Sequence, residues 1–321
     1  MLVVEWAHQA YLKDTQVKIN SEFEIIKKHL SGIGASYLQS NGIDLAGGDD
    51  CAILASKSKL LISTDTSVVG VHFLKSMNPQ AIAYRSVSTA LSDIAAMGGS
   101  PVAFNLSLVM PSFNAEWMNN FTKGLKKVSK EHKFPLIGGD LAKGPLQISV
   151  TVLGKPGKKI LLRSGAKSGD ILCVSDALGK AYIGLKEFKS SATTNATTRP
   201  YLFPKAQILY GQTISQFASA AIDLSDGIFQ DVSHLIERSN VGCEIDLAKV
   251  PVADNKFKKQ CLEFGDDYQL LFTVPPKKLH LLQSQIKSIG KKCHTIGIMK
   301  GTKLEVLNNP FKSIKNWDHF A

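Results

Sequence analysis

The chain has no run of about 18 or more uncharged apolar residues, so no membrane-spanning helix is expected. Glu5 sits too early, and the apolar run around it is too short, for a signal peptide; a cytoplasmic location is the expectation. Cysteines are few and scattered. Cys51, Cys173, Cys243, Cys261 and Cys293 are odd in number and include no C-x-x-C pair, so neither a disulfide framework nor a zinc knuckle is indicated. Acidic residues are outnumbered, with 27 Asp and Glu against 38 Lys and Arg, for a net charge of +11. The lysines are dispersed in pairs such as Lys158-Lys159 and Lys291-Lys292, not gathered in one block with interleaved aromatics. A solvated surface that draws in small phosphate-bearing anions fits that pattern better than a nucleic-acid interface. Also missing are G-x-x-x-x-G-K-[ST] and the H-R-D and D-F-G set, which removes the two common phosphoryl-transfer templates.

What is present is enough apolar sequence, 44% of 321 residues, to bury the cores of two domains. Residues 1–20 lack periodicity and read as an N-terminal extension, followed by a helix over Ser21–Leu30 with Ser21 and Glu24 placed as a capping box. Strands are expected at Leu60–Ser63, Val102–Met110 and Gln147–Leu153. Between them, Asn78-Pro79 opens a helix that ends at Gly98-Gly99, and a second helix from Asn114 carries Trp117, Phe121, Leu125 and Val128 as a core-facing stripe. The Gly/Pro/Lys-rich segment 154–159 is the best linker, placing a boundary near residue 157. Beyond it strands are expected at Ile171–Val174, Cys243–Leu247, Gln269–Val274 and Thr295–Ile298, with helices near 205–219, 228–238 and 277–289. Residues 189–199, polar and rich in Thr and Ser, read as a mobile surface loop. The fold class is therefore mixed, α/β and α+β.

The scarce carboxylates fall in turns. Asp49 and Asp50 follow Gly47-Gly48, Asp65 closes Ser63-Thr64-Asp65, Asp140 follows Gly138-Gly139, and Asp223 and Asp226 lie in Ile222-Asp-Leu-Ser-Asp-Gly227. Strand ends beside glycine are where α/β proteins place their sites. Asp93 differs in lying on a helix, on one face with Ser86 and Thr89 and among small residues. Carboxylates gathered without lysine or arginine partners repel one another unless a cation neutralises them. The donors are hard oxygens from Asp, Ser and Thr, which select magnesium or manganese, and magnesium is usually shared with substrate phosphates. Residue types and spacing thus point to a metal-assisted phosphoryl transfer.

Taken in order, Gly48-Asp-Asp-Cys-Ala52, Ile62-Ser-Thr-Asp-Thr66 with Val69-Gly-Val-His-Phe73, Leu91-Ser-Asp-Ile-Ala-Ala-Met-Gly98, Ile137-Gly-Gly-Asp140, Leu162-Arg-Ser-Gly-Ala-Lys-Ser-Gly-Asp170 and Ala221-Ile-Asp-Leu-Ser-Asp-Gly227 resemble the thiamine-monophosphate kinase family, within the aminoimidazole ribonucleotide synthetase superfamily. The resemblance implies an N-terminal α/β domain over 21–157, a C-terminal α+β domain over 158–321, and a homodimer formed through the N-terminal sheets. It implies transfer of phosphate from ATP to thiamine monophosphate, direct and in line, with several Mg2+ ions. It implies metal ligands at Asp50, Ser63, Thr64, Asp65, Asp93, Asp140, Asp223 and Asp226, with Asp65, Asp93, Asp140 and Asp223 central to catalysis. It further implies ATP contacts from Gly139, Asp140, Arg163 and Ser225, and acceptor contacts from His72 and Trp317. One departure concerns Asp266: Phe264-Gly-Asp-Asp-Tyr-Gln269 stands where the family has Gly-Gly-Glu-Asp-Tyr-Glu, leaving the acceptor carboxylate one methylene shorter. Selenophosphate synthetases and hydrogenase maturation factors are the superfamily rivals. The first requires a reactive cysteine near a glycine-rich N-terminus and the second a C-terminal cysteine, whereas this sequence ends Trp-Asp-His-Phe-Ala.

Overall fold

A computed structural model describes residues 25–46, 52–55 and 59–313. The expected first helix is represented there by a π-helical turn, Ile26–Leu30, and a short antiparallel pair follows, β1 (Ile43–Leu45) with β2 (Ile53–Leu54). The first large sheet has the order β3-β6-β4-β5, built from β3 (Leu61–Val68), β4 (Ser100–Met110), β5 (Leu136–Lys143) and β6 (Gln147–Lys155). Neighbours are antiparallel except β4 with β5, which are parallel. Two helices cover one face of this sheet: α1 (Pro79–Ala96) and α2 (Ala115–His132).

Both helices start where the sequence signals them. Asn78 accepts a hydrogen bond from the Gln80 amide at 2.8 Å, with Pro79 at the first helical position, and Asn114 accepts from the Trp117 amide at 2.8 Å. Phe121, Leu125 and Val128 are fully buried against Phe104, Ile148, Val150 and Val152 of the sheet, while Trp117 stacks on Phe121 at 4.8 Å. Burial of that kind stabilises by roughly 1.5–3 kcal/mol per large side chain. The other face of the sheet alternates polar residues, Thr64 and Thr66 of β3 opposite Thr151 and Ser149 of β6.

The chain changes sheet within 156–170, a stretch anchored on α1 by the Leu161 amide, which donates to the Met97 carbonyl at 3.2 Å. The second sheet is assembled from β7 (Ile171–Val174), β8 (Ala220–Asp223), β9 (Cys243–Asp246), β10 (Leu270–Val274), β11 (His294–Met299) and β12 (Leu304–Leu307), in the order β12-β9-β11-β7-β10-β8. Around it run α3 (Lys180–Ser191), α4 (Arg199–Leu202), α5 (Ile208–Ile214), α6 (Ile228–Ser239), α7 (Lys258–Glu263) and α8 (Pro276–Ser288). Side chains of α6 pack on one face, through Val232 and Leu235, and those of α5 and α8 on the other, through Tyr210, Ile214, Leu282 and Ile286.

Segment 189–199 departs from expectation. It belongs partly to α3 and α4, and between them Asn195 Oδ1 accepts from the Thr197 and Thr198 amides while the Thr198 hydroxyl donates to the Thr193 carbonyl. Thr198 is fully buried while residues 192–197 are exposed, so the polar composition serves a hydrogen-bonded turn on the surface. The helix expected over 205–219 is likewise shorter, α5 spanning only Ile208–Ile214. The element that positions the site is α1: one side packs on β3 and β6, and its C-terminal half meets β8 and α5 of the second sheet.

Candidate active site

Strand alternation selects which side chains of β3 reach α1. Ser63 and Asp65 face the helix, whereas Ile62, Thr64 and Thr66 face the opposite side and are exposed. On α1, residues one turn apart meet them: Thr89 hydrogen-bonds Asp65, and Asp93 Oδ2 accepts from the Ser63 hydroxyl. Asp223, the last residue of β8, arrives from the second sheet beside Ser92 of α1 and is buried. Three carboxylates distant in sequence therefore share one environment.

Their electrostatics record it. Burial, and then the charge of Asp93, pushes Asp65 up to about 6. Burial pushes Asp223 up to about 7, with Asp93 and Asp65 adding to the rise. Asp93 is raised by burial, against the opposing pull of the Ser63 hydrogen bond and of Arg163. Asp231 of α6, buried behind them, is pushed up to about 8 by burial and by the charges of Asp223 and Asp226. Arg163 draws on Asp93, Asp223 and Asp231, yet none of the ion pairs among the described residues involves Asp65, Asp93 or Asp223.

Ser63, Asp93 and Asp223 line a cleft of about 370 Å³ between the two sheets, with Arg163 and Arg238 on its walls and Leu162 as exposed apolar surface, while Asp65 lies beside Asp93 and outside the lining. Hard oxygen donors, mutual repulsion and the lack of a paired cation fit a divalent ion such as magnesium. No group of three or more His, Cys, Asp or Glu side chains among the described residues is arranged to hold a metal ion by itself. Magnesium rarely uses such a group, because substrate phosphates supply part of its shell.

Thr64 donates to or accepts from Thr151 Oγ1 at 2.8 Å on the far face of the sheet, so its side chain does not join the carboxylates. Gly139 and Asp140 lie on β5 at the opposite sheet edge; Asp140 pairs with Ser107, which pairs with Ser149, which pairs with Thr66, and this row lies on the far face as well. At the usual strand spacing that edge is roughly 14 Å from β3. Gly139 itself is required, since at φ +154 a Cβ would lie 1.9 Å from the Leu106 carbonyl oxygen. Ser225 and Asp226 occupy the turn after β8, where the Asp226 amide donates to Asp231 Oδ2 at 3.2 Å and Asp226 Oδ2 accepts from Gln230 at 3.1 Å. His72 Nδ1 accepts from the Val68 amide at 3.1 Å, which assigns the proton of the neutral ring to Nε2. Asp266 is ion-paired with Arg85. Asp50 and Trp317 lie outside the described residues.

Sequence reasoning passed over Arg85, Asp231, Arg238 and Tyr268. Two of them had a signal: Arg85 and Asp93 are the only charges in an otherwise apolar and small α1, and Asp231 falls on the buried stripe of α6 with Ile228, Val232 and Leu235. Arg238 is brought to the site by the fold alone, whereas Tyr268 stands beside Asp266 in the family-like segment Phe264–Gln269.

Two sheets joined by a helix, with carboxylates from both sheets and the helix brought together, place this chain in the AIR synthase-related class of proteins. Residues 48–155 match the family described as AIR synthase related protein, N-terminal domain. Within that class the similarity is specific. The chain is 36% identical over 321 residues to the thiamine-monophosphate kinase of Buchnera aphidicola subsp. Schizaphis graminum, covering 94% of this chain and 99% of the relative. The crystal structure of thiamine-monophosphate kinase from Stenotrophomonas maltophilia K279a superposes with a TM-score of 0.78 at 29% identity, over 86% of this chain and 96% of that one. A structure described as AaThiL complexed with AMPPCP and TMP gives a TM-score of 0.73 at 30% identity, over 96% and 100%. The chain belongs to the thiamine-monophosphate kinase family.

Proposed function

We propose that this protein transfers the γ-phosphate of ATP to thiamine monophosphate, giving thiamine diphosphate and ADP by direct in-line displacement. The observation that carries this reading is the meeting of Asp65, Asp93 and Asp223, from β3, α1 and β8, beside a cleft where Arg163 stands near Asp93 and Asp223 without forming an ion pair. The joint presence of AMPPCP and TMP in a structurally similar family member supports it. In this reading Ser63, Asp65, Asp93 and Asp223 hold magnesium, and Asp226 extends the acidic wall. Bound magnesium supplies the neutralisation that lets two anionic phosphates approach. Arg163 and Arg238 offset further charge on the nucleotide phosphates, and Leu162 offers apolar surface to the base.

An oxygen of the acceptor phosphate, already ionised at neutral pH, attacks the γ-phosphorus while the bond to the β–γ bridging oxygen breaks and ADP leaves. The chain therefore needs no side-chain nucleophile, and its work is positioning. His72 and Asp266 lie on the acceptor side. The polar sheet face that carries Thr64, Thr66 and Asp140 is the surface we assign to a second copy in a homodimer.

The test is direct. Purified protein incubated with ATP, magnesium and thiamine monophosphate forms thiamine diphosphate, read by chromatography, with aminoimidazole ribonucleotide precursors as control acceptors. ATP consumption confined to a control acceptor overturns the reading.

A further inference from the structure

Arg85 is buried between the loops that hold His72 and Asp266, and nothing in the motif pattern assigns it a role. The residue is 4% exposed, and its guanidinium reaches three separate segments. Nη2 donates to Asp266 Oδ1, Nη1 donates to the Tyr201 carbonyl at 2.7 Å, and Nε donates to the His72 carbonyl at 3.3 Å. The group also lies over the Tyr201 ring, 4.8 Å from its centroid. A buried guanidinium is tolerated only when its donors are satisfied, and here a carboxylate and two carbonyls supply the partners.

The Asp266 loop requires such an anchor. Asp266 and Tyr268 both adopt left-handed backbone, φ 61 and φ 50, which costs non-glycine residues on the order of 1 kcal/mol each. The loop is pressed on the turn after β8: the Asp266 amide donates to the Ser225 carbonyl at 2.8 Å and the Tyr268 amide to the Leu224 carbonyl at 2.9 Å. Gly265 fits only without a Cβ, which would lie 2.2 Å from the Ser225 carbonyl oxygen. Arg85 thus ties the loop holding Asp266 and the loop holding His72 to the same helix that, one turn and two turns further on, presents Thr89 to Asp65 and Asp93 to Ser63. The register between acceptor side and carboxylates is set along α1, about 12 Å of helix.

We propose that Arg85 is the positioning residue of the acceptor half-site, acting through the His72 and Asp266 loops to place the acceptor phosphate against the carboxylate cluster. The inference rests on the phosphoryl-transfer reading above. Lysine retains the charge but lacks the planar fork needed to serve all three partners at once. In the full-length protein, Arg85→Lys is expected to raise KM for thiamine monophosphate at least tenfold while KM for ATP stays within twofold. Asp266→Asn is expected to show the same split and carries the test if Arg85→Lys does not fold. The double variant is expected to be no worse than the more affected single one, because both changes break one linkage. A folded variant whose two KM values stay unchanged, or rise together, overturns the proposal. If wild-type protein turns over thiamine monophosphate and the split is absent, only this inference falls. If wild-type protein neither turns it over nor binds it by calorimetry, the functional reading falls and takes the acceptor half-site with it.

Discussion

Asp65 shows how a single residue is set against the stability of the chain for the sake of its site. Its carboxylate is desolvated and faces a second carboxylate, so the charged form is disfavoured in the metal-free fold. Asp65→Asn removes that charge with almost no change of shape. The variant is expected to lose roughly 100-fold or more in kcat. The same variant is expected to melt about 2 °C higher than wild type without metal, since a buried repulsion has gone. Calorimetry and steady-state kinetics on one preparation check both signs, and a variant that turns over normally removes Asp65 from the machinery. Arg238 makes a complementary case on the nucleotide side. Arg238→Ala is expected to raise KM for ATP about tenfold, the loss typical of a charge-assisted phosphate contact, with binding of thiamine monophosphate unchanged by calorimetry.

The β3 strand and the α1 helix act as rulers with different periods, two residues and about four, and the site exists where their marks coincide. Ser63 and Asp65 meet Asp93 and Thr89, while Thr64 is turned to the other face and bonded to Thr151. Ser63→Ala is therefore expected to raise the magnesium concentration needed for half-maximal activity several-fold, and Thr64→Val to leave it unchanged; a magnesium titration that ranks them the other way contradicts the assignment. Close approach of elements matters as much. Gly211 of α5 lies so near α1 that a Cβ would stand 1.9 Å from the Ala95 carbonyl oxygen. Gly211→Ala is expected to push the helices apart and cost about 2–3 kcal/mol, visible as a lowered melting temperature.

For the whole molecule, the cluster makes stability depend on pH and metal together. Asp65 and Asp223 have folded-state values of about 6 and about 7, above the ordinary carboxylate value of 3.8 that the unfolded chain restores. Groups raised in this way support the fold most fully below pH 3.8, and that support is lost as pH rises through about 6 and 7. Without metal, this cluster is expected to lower the melting temperature between pH 5 and pH 8. Magnesium binds the ionised form, so millimolar magnesium is expected to raise the melting temperature more at pH 8 than at pH 6. A magnesium effect of equal size at both values counts against a carboxylate site.

Much of this molecule is decided locally and can be read along the chain. Asn78-Pro79 and Asn114 start helices because a side-chain oxygen meets an open amide within three residues, and the Trp117 to Val128 stripe buries because its spacing follows the helix. The hard-oxygen character of the donors is likewise a property of residue type. Neighbouring residues do not decide which carboxylates meet. That Asp223 joins Asp65 and Asp93, that Thr64 and Asp140 face elsewhere, and that Arg85 secures Asp266 all follow from how α1 lies between two sheets. Desolvation and charge repulsion act through space, so only the packed chain determines them.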